Sequence, residues 1–176
     1  MNCKTAPSRG HNKMIYKGLS LPNVKTIRLV NTEYFKNDTE CLGDCYFLHN
    51  NCPKLRVVEC SFKFDSAVDP TLLATPSDML VALQPVATQL QRLVLTVETG
   101  SPLHNCGRIV SLAGFQDLRV VSIAIEFIED LSLFVQLLPR SVSKLILRVG
   151  KTKVFTFLLT GMGQVLHVGA IEGYGI

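Results

Sequence analysis

One spacing recurs along the chain and limits its folding more than any other feature: an apolar residue, two variable residues, then an apolar–x–apolar step. It occurs in Leu21–Leu29 (LPNVKTIRL), Cys52–Cys60 (CPKLRVVEC), Leu90–Leu95 (LQRLVL), Phe115–Ile123 (FQDLRVVSI) and Val142–Leu147 (VSKLIL). With Ile27, Val58, Leu93, Val121 and Leu145 taken as equivalent, the steps are 31, 35, 28 and 24 residues. Alternate side chains of a strand face opposite ways. Ile27 and Leu29 therefore point to one side, as do Val58 and Cys60, Leu93 and Leu95, Val121 and Ile123, and Leu145 and Leu147. Val24, Leu55, Leu90, Leu118 and Val142 turn the chain into each strand and pack beneath it. One such unit cannot bury its apolar side alone, but five stacked in parallel share one continuous core.

Parallel strands need crossovers, and these should be right-handed. Thr75-Pro76-Ser77-Asp78 carries helix-start chemistry: Thr75 caps, Pro76 suits the first turn and Asp78 favours its positive end. Met79, Leu80 and Leu83 supply the apolar stripe, and Pro85 should kink or end the helix. Asp130 to Leu138 is a second helix, with Leu131, Phe134, Val135 and Leu138 on one stripe and Pro139 as its stop. Thr39 to His49 is a weaker helix candidate, and Ile109 to Leu112 an extra short strand. The expected class is α/β: a leucine-rich-repeat-like solenoid, a curved parallel sheet with helical or irregular crossovers in about five irregular repeats. It occupies residues 19–149, after a polar segment 1–18 and before a Gly-rich apolar tail 150–176. In the tail, Val154-Phe-Thr-Phe-Leu-Leu has strand character but follows Leu147 too closely for a full repeat. The tail is either a poorly formed cap or a foreign end left by truncation, and either the chain is part of a longer protein or both of its ends are exposed and sticky.

The balance of 47% apolar and 18% charged residues fits a folded domain. A net charge of +4 from scattered Lys and Arg is too mild for nucleic-acid binding. The first 13 residues lack an apolar signal core, so a cytoplasmic or nuclear protein is expected and its six cysteines should be reduced. On the same ground the Asn37-Asp38-Thr39 sequon should be silent. Val154 to Ile171 is free of charge and about the minimum span length, ~18 residues, but its glycines, threonines, Gln164 and His167 argue against a membrane helix.

Four stretches, Leu21–Leu29 (LPNVKTIRL), Cys52–Cys60 (CPKLRVVEC), Leu112–Ile123 (LAGFQDLRVVSI) and Leu137–Leu147 (LLPRSVSKLIL), resemble the repeat region of fungal F-box and leucine-rich-repeat proteins. The resemblance covers roughly residues 19–149. It implies substrate recognition within a ubiquitin-ligase complex. No F-box is visible in the sequence, so the adaptor-binding half of that function has no support.

Cys41, Cys45, Cys52 and Cys60 are not spaced as the close ligand pairs of zinc sites, and Cys52 and Cys60 fall at core positions of the repeat. His49 near Cys52 changes this little. His104 and Cys106 have no third group to orient them. Gly161-Met-Gly163 is too short for a phosphate loop. Glu126, Glu129 and Asp130 are spaced as helix-start charges rather than as an acid–base pair. No cofactor, metal or catalytic residue is assigned. The functional surface expected is instead the concave face of the sheet: Thr26, Arg28, Val57, Glu59, Arg92, Val94, Val120, Ser122, Lys144, Ile146 and Arg148. Apolar groups ringed by arginines and opposed only by Glu59 suit a protein partner of acidic character. The expected function is a protein-interaction scaffold that is not an enzyme. The alternatives are a truncated or vestigial fragment without independent function, and a small hydrolase or metal enzyme.

Overall fold

The structure is a computed structural model, and it describes residues 2–3, 21–32, 51–62, 75–97, 108–109, 111–150, 153–159 and 165–172. These form an α/β arrangement around one eight-stranded sheet whose spatial order follows the chain: β1 (Asn2–Cys3), β2 (Thr26–Thr32), β3 (Val57–Phe62), β4 (Arg92–Val97), β5 (Val120–Ala124), β6 (Lys144–Val149), β7 (Lys153–Leu159) and β8 (Val165–Glu172). Strands β1 to β6 pair in parallel, and β7 and β8 add on antiparallel.

The register is the one the repeat pattern demands. Ile27 pairs with Val58, Val58 with Leu93, Leu93 with Val121 and Val121 with Leu145. Two residues on, Leu29, Cys60, Leu95, Ile123 and Leu147 make a second row. From β3 to β6 the residues of both rows are buried, and Ile27 and Leu29 pack against them from β2. The run into each strand also repeats. The amides of Val24, Leu55, Leu118 and Val142 donate to the carbonyls of Leu21, Cys52, Phe115 and Pro139, three residues back. Just before β3, β4, β5 and β6, a carbonyl of the preceding unit (Lys25, Arg56, Gln91 or Arg119) accepts from two successive amides of the next. Each unit thus offers the next the same hydrogen-bonding edge, so unequal crossover lengths leave the stack in register.

Among the described residues, two helices cover the core face. Helix α1 (Pro76–Ala82) begins in a reciprocal capping box between Thr75 and Asp78, which satisfies amides that the helix itself cannot. It buries Met79 and Leu80. The α-helical hydrogen bonding ends before Pro85, and the chain tightens into a 3-10 helix over Gln84–Gln89 that buries Val86 and Ala87. Helix α2 (Leu131–Gln136) starts at Asp130, whose carboxylate accepts from the Leu133 amide at 3.0 Å. It is shorter than the stripe suggested: Phe134 is buried, Val135 and Leu138 are half-buried, and Leu131 and Leu133 are 37% and 50% exposed. Ahead of it, Phe127 meets Phe62 edge-on at 5.4 Å, tying the crossover to the end of β3.

The Ile109–Leu112 stretch is not a strand at its described residues. Ile109 and Leu112 are buried, the Ile109 amide donates to the Phe127 carbonyl, and the Leu112 carbonyl accepts the Phe115 amide. Apolar side chains sink into the core there while the backbone binds neighbouring loops. The Thr39–His49 candidate lies outside the described residues. The expected strand at Val154–Leu159 is present, but it turns back on β6 through a connection at 150–152 that starts with Gly150 at φ +57°. Phe155 and Phe157 pair with Leu147 and Leu145, carrying both core rows onto β7. β8 and the pairing of β1 with Arg28 and Leu29 were not anticipated. Among the described residues, no helix is long and apolar enough to cross a membrane.

Candidate functional site

With the helices on one face of the sheet, the other face consists of the residues between the core rows. Across the register they align as Thr26–Val57–Arg92–Val120–Lys144 and as Arg28–Glu59–Val94–Ser122–Ile146. Arg148 follows at the next outward position of β6, opposite Ala124. All eleven residues expected from the sequence therefore share one face, but they are not equally accessible. Ser122 is fully buried and Val94 nearly so, whereas the side chains of Arg28 and Arg92 are 56% and 44% exposed. Ser122 and Val94 form floor rather than rim.

The charged residues are organised around two anchors. Glu59 lies between two arginines: its Oε2 is 2.5 Å from Arg28 Nε, and its Oε1 is 3.8 Å from Arg92 Nη2. Direct register across β2 and β3 brings Arg28 beside Glu59, and Arg92 reaches it diagonally from β4. Exposed pairs of this kind contribute little to stability, about 0–1 kcal/mol, so their main effect is to fix where the guanidinium groups stand. Arg92 Nε is a buried donor with no hydrogen-bond partner. Arg148 is held differently: its Nε donates to the Ser122 hydroxyl at 3.1 Å.

Arg28, Glu59, Ser61, Val94, Thr96 and Arg148 line an open depression of about 320 Å³ on this face. The Thr96 hydroxyl donates to the Cys60 carbonyl at 3.4 Å. β7 extends the face with Thr156 opposite Ile146 and Leu158 opposite Lys144, and Leu158 is 43% exposed. The sequence signal for these two is the alternation in residues 153–159, which lies outside the repeat spacing. Their parity, once β7 is paired with β6, places them here.

The other candidate clusters come apart. Cys52 and Cys60 are buried in the core, and burial pushes the Cys52 thiol above its ordinary range, away from a reactive thiolate. Cys41, Cys45, His49, His104, Cys106 and Gly161–Gly163 lie outside the described residues. Among the described residues no three His, Cys, Asp or Glu side chains gather as a metal site. The three carboxylates near α2 diverge: Asp130 caps the helix, Glu129 pairs with Arg108, and Glu126 accepts from the Gly150 amide at 3.4 Å. Comparison with protein-family models, with curated proteins and with solved structures finds no match for this chain.

Proposed function

We propose that the chain is a leucine-rich-repeat-like solenoid serving as a protein-interaction scaffold, and that its working surface is the sheet face opposite the helices. The solenoid assignment is supported by in-order parallel pairing and by the same turn and carbonyl bifurcation recurring ahead of successive strands. The observation carrying the functional part is the make-up of one continuous face: Arg28, Arg92, Lys144 and Arg148 stand among Val57, Val120, Ile146 and Leu158, with Glu59 the one carboxylate of its aligned rows. Surface arginines beside apolar side chains are the chemistry of interface anchors, and the charge excess selects a partner of acidic character. In a longer protein this surface would be the substrate-recognition part of an F-box-type ubiquitin-ligase component.

Charge reversal at Arg28, Arg92 and Arg148 tests the assignment. The triple variant should keep the wild-type circular dichroism spectrum and melting temperature, yet lose the proteins that wild-type chain recovers from cell extract. Unchanged recovery by a folded variant refutes the assignment of this face.

A further inference from the structure

We propose that the depression between Arg28 and Arg148 receives one oxyanion of a partner peptide, an Asp or Glu carboxylate or a phosphoserine phosphate, with Arg148 as its anchor. This rests on the assignment of the outer face as the interaction surface and names the group that the face recognises.

The three arginines of the face are not equivalent. Arg28 and Arg92 already share the Glu59 carboxylate, one on each oxygen. Arg148 faces no carboxylate at ion-pair distance among the described residues, and its one hydrogen bond runs from Nε to a neutral hydroxyl. Ser122 is fully buried, so that hydroxyl is fixed by the strand rather than by solvent, and it fixes Arg148 in turn. Because Nε is engaged, the two terminal Nη groups remain as the end-on fork that matches two oxygens of a carboxylate or phosphate. The Ser61 hydroxyl and Arg28 border the same space, and Val94 supplies an apolar floor for the carbons next to the charged group. Among the described residues that line the depression, Arg28 and Arg148 are set against the single carboxylate of Glu59, an imbalance that an incoming anion corrects. A preorganised cation without a counter-ion among the described residues, beside the Ser61 hydroxyl and apolar contact, is an arrangement in which binding an oxyanion costs little reorganisation.

The probe is an array of short peptides, each printed with Asp, Glu, phosphoserine or Asn at its centre and incubated with the full chain. Wild-type protein should retain the acidic or phosphorylated members over their Asn counterparts by about tenfold or more. The stronger of the two kinds of member identifies the natural oxyanion. Arg148→Gln should abolish that preference, while Arg108→Gln, which removes the same charge at the Glu129 pair, should leave it intact. If Arg148→Gln fails to fold, Glu59→Gln decides: removing the resident carboxylate should raise retention of acidic members and leave Asn members unchanged, and no rise overturns the proposal. Retention independent of central charge, or a preference that survives Arg148→Gln, overturns the oxyanion site while leaving the interaction surface standing. Absence of retention of every peptide overturns both.

Discussion

Leu93 sits at the centre of the inner row, paired with Val58 on one side and Val121 on the other, and is 1% exposed. Leu93→Ala removes three buried carbons, worth ~0.8 kcal/mol each in transfer free energy, or about 2.4 kcal/mol. The cavity left behind raises the expected loss to ~3–4 kcal/mol. Ile27, in the same row on β2, is only partly buried, so Ile27→Ala should cost less. The measurement is urea unfolding followed by circular dichroism, with the midpoint falling and the slope unchanged. A double-mutant cycle sharpens the test. Leu93 and Val121 touch in the register and should couple when both are cut to Ala. Val58 and Leu145 lie three strands apart, roughly 14 Å at ~4.8 Å per strand, and should add. A loss below ~1 kcal/mol for Leu93→Ala, or Ile27→Ala costing as much, refutes a core made of rows stacked strand upon strand.

Two further outcomes follow from single residues. Gly150 holds φ +57° where β6 turns into β7, and an added Cβ there meets nothing within 4 Å, so Gly150→Ala should lower stability by ~1 kcal/mol through backbone strain alone; a midpoint equal to wild type argues against this hairpin. Burial raises the Cys52 thiol above its usual 9.0, so the unfolded chain loses that proton first and stability should fall as pH climbs past 9.0 towards the folded value; peptide mapping should find Cys52 alkylated in urea and spared in the native protein, and rapid native alkylation would count against its place in the core.

The repeat positions were legible because alternation and spacing carry the same information as strand register. Each residue aligned by spacing, from Ile27 to Leu145, pairs with its expected neighbour. The cap at Thr75 was legible because a Thr-Pro-x-Asp start satisfies local amides whatever surrounds it. The Ile109–Leu112 stretch misled because apolar residues also line buried loops, whose backbone bonds elsewhere. Leu131 misled because periodicity tells which residues share a helix stripe but not how deeply that stripe sinks. On the outer face, membership could be read from parity alone. The inequality between Arg148, Arg28 and Arg92 could not, because it depends on Glu59 and Ser122 reaching diagonally across strands.

Alternation also separates stability from recognition within each strand. Leu93 and Leu95 hold β4 in the core, while Arg92 and Thr96 on the same strand face the other way. The inner rows are constrained on both sides by neighbouring strands and beneath by helices, so volume there is fixed to within a methylene or two. The outer positions meet no covering element among the described residues, and there a change of charge alters the surface without opening a cavity. Ser122 is the one polar side chain among the buried outward residues, and among the described residues its hydroxyl bonds only to the arginine it holds. A small apolar residue would fill that floor position without needing a hydrogen-bond partner. A buried serine aimed at an arginine that meets no carboxylate among the described residues is better accounted for by what the arginine must hold than by what the sheet needs to stand.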